Sequence, residues 1–235
     1  MRIRIGTSGF SYKEWKGSFY PEDLPAAEML RFYAGKFSTV EINNTFYRMP
    51  TAAVLAGWAE RVPDGFTFAL KASQRITHRA RLKDAGESVE FFFRVATTLG
   101  DRLGPVLFQL PPNLKKDLPR LTEFLTLLPA GSRCAFEFRH ASWFEDDVYE
   151  ALRASGAALC FAEDEDLATP PVSTTGWGYL RLRRQDYGPE SLGQWARRIG
   201  EQPWSDAFVY FKHEDEARGP IFAEGLASLL GISGS

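Results

Sequence analysis

Short apolar runs alternate with amphipathic stretches along the whole chain. Eight runs read as strands: Ile3–Gly6, Thr39–Asn43, Thr67–Lys71, Val106–Gln109, Arg133–Phe138, Ala157–Ala162, Trp177–Arg181 and Ala207–Lys212. Between them apolar residues recur at helical spacing, as in Leu121, Phe124, Leu125 and Leu128, in Leu192, Trp195, Ala196 and Ile199, and in Phe222, Leu226, Leu229 and Leu230. These stripes are read as core-packing faces. Thr51 precedes one further stripe (Val54, Leu55, Trp58, Ala59) and Ser88 another (Val89, Phe92, Phe93, Ala96), so each hydroxyl is expected to cap a helix. Strands spaced by helical patterns pair in parallel through crossover helices. Eight such units predict an α/β fold, a single TIM-type (β/α)8 barrel over residues 1–235. One connection departs from the pattern. Between Ala162 and Trp177 the chain runs through Glu163-Asp164-Glu165-Asp166, Pro170-Pro171 and Ser173 to Gly176, so the sixth crossover is expected to lack a regular helix.

Composition narrows the setting. The 235 residues suit a one-domain barrel, and 44% apolar content is enough to fill its core. With 28 basic against 30 acidic side chains the net charge is −2, which argues against a generally cationic nucleic-acid binder and leaves room for a local basic patch. The two cysteines, Cys134 and Cys160, each sit inside a strand-like run and read as buried thiols in a reducing compartment. Met1 to Gly6 carry no apolar stretch behind them that would make a signal peptide, and no segment approaches a membrane span. The expectation is a cytoplasmic protein without membrane contact.

In a barrel of this kind, side chains at the carboxyl ends of the strands converge on one mouth. Polar residues there are therefore informative. Strand one is followed by Ser8, Tyr12 and Trp15; strand two carries Glu41 and Asn43, then Thr45 and Tyr47. Lys71 ends strand three, with Ser73 and His78 beyond, and Gln109 ends strand four. Strand five carries Glu137 and Arg139, then His140 and Trp143; the last three end in Glu163 and Asp164, in Arg181, and in Lys212 and His213. Strand side chains alternate, so Glu41 shares a face with Asn43 and Glu137 with Arg139. A carboxylate in a buried strand must be paired, ligated or facing water. Two readings follow: a closed ion-pair network of Glu41 and Glu137 with Lys71, Arg139 and Arg181, or a pocket for a polar, anionic ligand.

Imidazole is both a common metal ligand and a common proton shuttle. A divalent metal held among Glu41, Glu137, His140, Asp164 and His213 is one candidate, although no HExxH spacing supports it. Walker, GxGxxG and GxSxG motifs are absent, and Gly6-Thr7-Ser8-Gly9 resembles an anion-binding turn only weakly.

The segments Gly6–Pro21 (GTSGFSYKEWKGSFYP), Phe37–Pro50 (FSTVEINNTFYRMP), Lys71–His78 (KASQRITH), Gly104–Leu114 (GPVLFQLPPNL) and Phe136–Phe144 (FEFRHASWF) carry a family resemblance. On them the chain resembles the YecE-like family, domain of unknown function number seventy-two. The resemblance implies a β/α barrel of the metal-dependent sugar-isomerase and endonuclease type, with Ser8, Tyr12, Trp15, Glu41, Asn43, Thr45, Tyr47, Lys71, Gln109, Glu137, Arg139, His140 and Trp143 about its pocket. The carboxyl third departs from it: an Asn-Asn run frequent in the last strand reads Phe211-Lys212-His213-Glu214 here, and Leu182-Arg183-Arg184 replaces a frequent His-Gly pair. These changes add positive charge to the mouth.

The expected function is an enzyme acting on a phosphorylated or other anionic substrate, by phosphoester hydrolysis or sugar-phosphate chemistry. Arg139, Arg181 and Lys212 would hold the anion, Glu137 or Glu41 would act as base, and His140 or His213 would move protons. The alternative is a non-catalytic module binding a small molecule or nucleic acid. For nucleic acid, Tyr12, Trp15, Tyr47 and Trp143 would stack bases while Arg75, Arg79, Arg81 and Lys83 meet phosphates.

Overall fold

A computed structural model describes residues 1–164, 167–213 and 217–232. Each of the eight apolar runs is a strand, with ends moved by at most three residues: β1 Arg2–Thr7, β2 Thr39–Ile42, β3 Thr67–Lys71, β4 Leu103–Gln109, β5 Cys134–Glu137, β6 Ala158–Glu163, β7 Trp177–Leu182 and β8 Asp206–Phe211. All pair in parallel in the order β1-β8-β7-β6-β5-β4-β3-β2. The seam between β1 and β2 is held by one bridge, Ser8 with Glu41, and by the Gly9 amide donating to the Glu41 carbonyl at 2.8 Å. The result is a nearly closed (β/α)8 barrel.

Alternation of side chains along the strands creates two apolar layers. Ala69, Leu107, Ala135, Cys160, Tyr179, Phe208 and Tyr210 fill the barrel interior. Val40, Phe68, Phe108, Phe136, Leu180 and Val209 belong to the larger core beneath the helices. The two thiols fall on opposite sides of the wall, Cys160 inside and Cys134 outside, and both are free. Burial pushes the Cys134 thiol up to about 11 and holds the Cys160 thiol well above its ordinary value, so neither is a ready nucleophile.

The helices are α1 Met29–Ala34, α2 Asn44–Tyr47, α3 Ala52–Ala59, α4 Gly86–Ala96, α5 Leu118–Leu125, α6 Asp146–Ser155, α7 Pro189–Gly200 and α8 Arg218–Leu229. Thr51 caps α3 as expected, its hydroxyl accepting from the Val54 amide at 3.4 Å. That bond is long and exposed, so Thr51→Ala should cost about 0.5 to 1 kcal/mol, the lower part of the range for lost caps, read as a small shift in urea midpoint. Ser88 does not cap α4. The helix begins two residues earlier, at Gly86, because the Ala85 carbonyl already accepts from the Val89 amide at 2.9 Å.

Among the described residues between β6 and β7 there is no helix; Glu165 and Asp166 of that stretch lie outside the description. Threonine hydroxyls serve the strand's backbone instead. Thr174 accepts from the Leu159 amide and donates to the Ala157 carbonyl, both at 2.8 Å, and Thr169 accepts from the Ala162 amide at 3.2 Å. None of the described helices is long and apolar enough to cross a membrane.

Candidate functional site

At the carboxyl ends of the strands, the inward positions carry Ser8, Glu41, Lys71, Gln109, Glu137, Arg139, Arg181 and Arg183. They form two tiers. In the lower one, Glu41, Glu137 and Arg181 are all sealed, with side-chain exposures of 0%, 0% and 1%. The Arg181 guanidinium bridges the two carboxylates: Nε and Nη2 donate to Glu41 Oε1 at 3.1 and 2.8 Å, and Nη1 donates to Glu137 Oε2 at 2.6 Å. Glu41 also accepts from the Tyr179 hydroxyl at 2.6 Å and from the Ser8 hydroxyl. Burial alone would raise the Glu137 carboxyl, but Arg181 and Arg139 beside it hold it below the usual range. Of the expected ion-pair network, Glu41, Glu137 and Arg181 form this tier and Arg139 joins Glu137 from above, whereas Lys71 pairs with neither carboxylate among the described residues.

The upper tier reaches solvent. Arg139 touches Glu137 Oε1 through Nη2 and donates from Nη1 to Asp164 Oδ2 at 2.5 Å. Arg183 donates to the same Asp164 oxygen at 3.2 Å and stands 4.0 Å from Glu137. Arg139, Asp164 and Arg183 side chains are 13%, 20% and 22% exposed. Lys71 differs from these arginines. Its Nζ donates to Gln109 Oε1 at 2.6 Å and sits 4.2 Å from the centre of the Phe46 ring, with no carboxylate at ion-pair distance among the described residues.

The other sequence candidates have different surroundings. Thr45 is buried and donates to the Lys71 carbonyl at 2.6 Å, tying α2 to the end of β3. Tyr12 donates to the Ser8 carbonyl at 2.7 Å and packs on Trp15. Trp15 and Trp143, expected to offer open aromatic faces, are fully buried. Trp143 stacks on Phe138 at 4.7 Å and donates to the Leu114 carbonyl, a packing role that leaves no ring face for a ligand. Tyr47 is 71% exposed and borders a groove of about 400 Å³ with Arg48, Arg75 and Phe91. Asn43 lines a smaller cleft of about 110 Å³ with Tyr12 and Trp58, its Nδ2 buried without a hydrogen bond.

His140 is turned to its own chain: Nδ1 accepts from the Ser142 amide at 3.1 Å and caps the short turn Ala141–Trp143. The His213 Nε2 meets the Arg184 carbonyl, and the ring lies edge-on to Tyr187 and Phe222. Lys212 is exposed, and Glu163 points outward, accepting from Trp195 Nε1 at 2.9 Å. A resident metal of the kind the resemblance implies does not fit this arrangement. The guanidinium of Arg181 stands between the two carboxylates, and among the described residues no three His, Cys, Asp or Glu side chains are gathered as a ligand set. Sequence reasoning passed over Tyr179 and left Arg183 without a role. Both lie two positions from Arg181, so period-two alternation places them on its face.

Comparisons with known proteins agree with the fold. The chain is similar to the UPF0759 protein YunF of Bacillus subtilis (strain 168), 31% identical over 232 residues, covering 91% of this chain and 79% of that one. It is similar to the UPF0759 protein YecE of Escherichia coli (strain K12), 34% identical over 143 residues, which span 60% of this chain and 50% of YecE. Among solved structures, a DUF72 family protein (TM1631) of Thermotoga maritima MSB8 superposes with a TM-score of 0.85 at 27% identity, over 98% of this chain and 100% of that one. Another DUF72 family protein (EF0366), of Enterococcus faecalis V583, shares the fold at a TM-score of 0.82 and 17% identity, over 99% and 97%. The family profile described as "Protein of unknown function DUF72" matches residues 4–235, and the chain belongs to that family.

Proposed function

We propose that this chain is an enzyme that takes a small anionic substrate, phosphorylated or otherwise acidic, at the mouth of the barrel. One observation carries the reading: the charges of the two tiers do not cancel. Among the described residues, the carboxylates of Glu41, Glu137 and Asp164 face the cations of Lys71, Arg139, Arg181 and Arg183, and exposed Lys212 adds to the surplus. An anion entering the mouth would complete the balance in a partly desolvated site, where charge-assisted bonds are strong. Arg139 and Arg183 suit the grip because their planar forks meet phosphate or carboxylate oxygens in pairs. Glu41 and Glu137 are the frame that fixes Arg181 and Arg139 in place, rather than free bases.

Calorimetric titration with orthophosphate, small sugar phosphates and small carboxylic acids tests this. Saturable binding that weakens several-fold in Arg183→Gln, and that weakens with added salt, is expected. Absence of saturable binding across the whole panel overturns it. A second reading, a binding module for single-stranded nucleic acid, has the groove beside Tyr47, Arg48 and Arg75 in its favour. It predicts oligonucleotide affinity that falls steeply with salt and depends on Tyr47.

A further inference from the structure

We propose that Lys71 is a carbonyl-reactive amine, which condenses with the aldehyde or ketone carbon of a small anionic substrate to form an imine at the barrel mouth. The proposal deepens the reading above and rests on it for the anionic part of the substrate.

Imine formation needs a primary amine that is reachable, held in place and neutral for part of the time. Lys71 meets these needs by its position. It ends β3, on the inward face, and is half-buried. Its Nζ is fixed from two sides by groups without charge, the Gln109 amide oxygen and the face of Phe46. The Phe46 face favours the ammonium form and the Gln109 oxygen accepts from either form, so a neutral amine keeps the bond to Gln109 with one N–H while its lone pair is free to attack. Arg139, Arg181 and Arg183 are all engaged by carboxylates, as Lys71 is not.

The charged groups around Lys71 come from most of the barrel. Glu41 on β2 and Glu137 on β5 favour the ammonium form, while Arg181 on β7 and Lys212 after β8 oppose it, and His78 lies close enough to be affected by Lys71 in turn. Burial is the largest influence and, with Arg181, brings the amine down to about 8. At pH 7 roughly a tenth of it is then neutral, against well under a thousandth for an ordinary lysine.

The step balances without any further reagent. The Nζ lone pair bonds to the carbonyl carbon, the carbonyl π pair moves to oxygen, and that oxygen takes the proton the nitrogen gives up. The resulting carbinolamine loses its hydroxyl as water, with one proton from solvent at the half-exposed mouth, as the nitrogen pair forms C=N. A protonated imine then draws electrons from the neighbouring carbon, which is the entry to aldol cleavage or proton abstraction. Arg139 and Arg183 would hold the acidic end of the same substrate.

The test is reductive trapping on the intact chain. Pyridoxal 5′-phosphate and unphosphorylated pyridoxal serve as probes, and pyruvate and glyoxylate as small acidic carbonyls, each followed by borohydride and peptide mapping by mass spectrometry. At pH 7.5 the labelling rate at Lys71 should exceed that at exposed lysines such as Lys36 and Lys83 by at least roughly tenfold, the more than hundredfold larger neutral fraction being partly offset by the weaker nucleophilicity of a less basic amine, with a midpoint near the amine's own pKa. The adduct should vanish from the map in Lys71→Arg, whose fold is checked by circular dichroism. Labelling at Lys71 no faster than at Lys36 and Lys83, or rising only near pH 10, overturns the proposal on the unaltered protein alone. Orthophosphate separates the two ideas. If it protects Lys71 from the phosphorylated probe, the anion site and the amine both stand; if Lys71 is trapped equally by both pyridoxals without protection, the amine stands and the anion reading fails.

Discussion

Replacing Arg181 with methionine should lower stability by about 3–5 kcal/mol at pH 7, the cost of leaving buried charges without their partner. In a chain of 235 residues this is a fall in Tm on the order of 10 °C. Glu41 and Glu137 would face one another across the barrel with exposures of 0% each. The pH dependence should change sign as well. In the parent chain the Glu137 carboxyl lies below its ordinary value, so its contribution is complete above the unfolded pKa of about 4.3 and is lost as pH falls through the lower folded value. In Arg181→Met burial acts with much less opposition, the folded chain takes up a proton that the unfolded chain does not hold, and stability rises as pH falls from 7 to 5. Urea unfolding at pH 5, 6 and 7 reads both effects. Adding Glu41→Gln should recover part of the loss, because Ser8 and Tyr179 still find an amide oxygen to donate to. A single variant within 1 kcal/mol of the parent at pH 7, with an unchanged slope, would show that Arg181 is not what neutralises the tier.

The same network shows why parts of the molecule could be read from sequence and others could not. Strands buried on both faces are continuous apolar runs, so all eight were legible, and the residues that interrupt those runs, Glu41, Glu137 and Arg181, marked the inward face at the mouth. Threonine-capped α3 was legible because its cap is local. The aromatic residues were not. Trp15 and Trp143 follow strand ends just as a ligand-facing ring would, and only their packing, Trp143 against Phe138 and the Leu114 carbonyl, makes them core. Nor does a histidine placed after a strand reveal that Ser142, two residues on, donates its amide to Nδ1 of the His140 ring. The shifted amine of Lys71 was beyond reach for a different reason. It is the sum of burial and charges on β2, β5 and β7 and just after β8, and no local window of sequence contains them. Long-range electrostatics is where the family motif and the chemistry part company: the motif locates the mouth, while the departures at Lys212 and Arg183 help set its charge.

Gly6→Ala should be the most damaging conservative change in the chain, costing about 3 kcal/mol or more, at or beyond the upper end for overpacking. Gly6 lies in β1 at the seam with β2, and a Cβ there would stand 2.1 Å from the Thr39 carbonyl oxygen and 2.8 Å from the Tyr33 hydroxyl. A side-chain clash could be relieved by a rotamer change, but the first of these obstacles is backbone. The strands must move apart, and what crosses this seam is thin: the Ser8–Glu41 bridge with the Ser8 hydroxyl on the Glu41 carboxylate, the Gly9 amide on the Glu41 carbonyl, and Tyr33. Tyr33 is the clasp. Its hydroxyl accepts from the Thr7 amide at 2.8 Å, lies 2.9 Å from Thr7 Oγ1, and donates to the Thr39 carbonyl at 3.0 Å. Tyr33→Phe keeps the ring and removes these bonds, so it should cost about 1–3 kcal/mol by leaving the buried Thr7 amide and Thr39 carbonyl with fewer partners. Hydrogen exchange distinguishes the two variants from general weakening. Amides of β1 and β2 should lose protection before those of β5 and β6, since opening starts where the barrel is joined by one bridge. The opening would also displace Glu41, and with it the anchor of Arg181, so both variants should weaken anion binding at the mouth. Uniform loss of protection around all eight strands, or a Gly6→Ala protein as stable as its parent, would mean that closure does not depend on this seam.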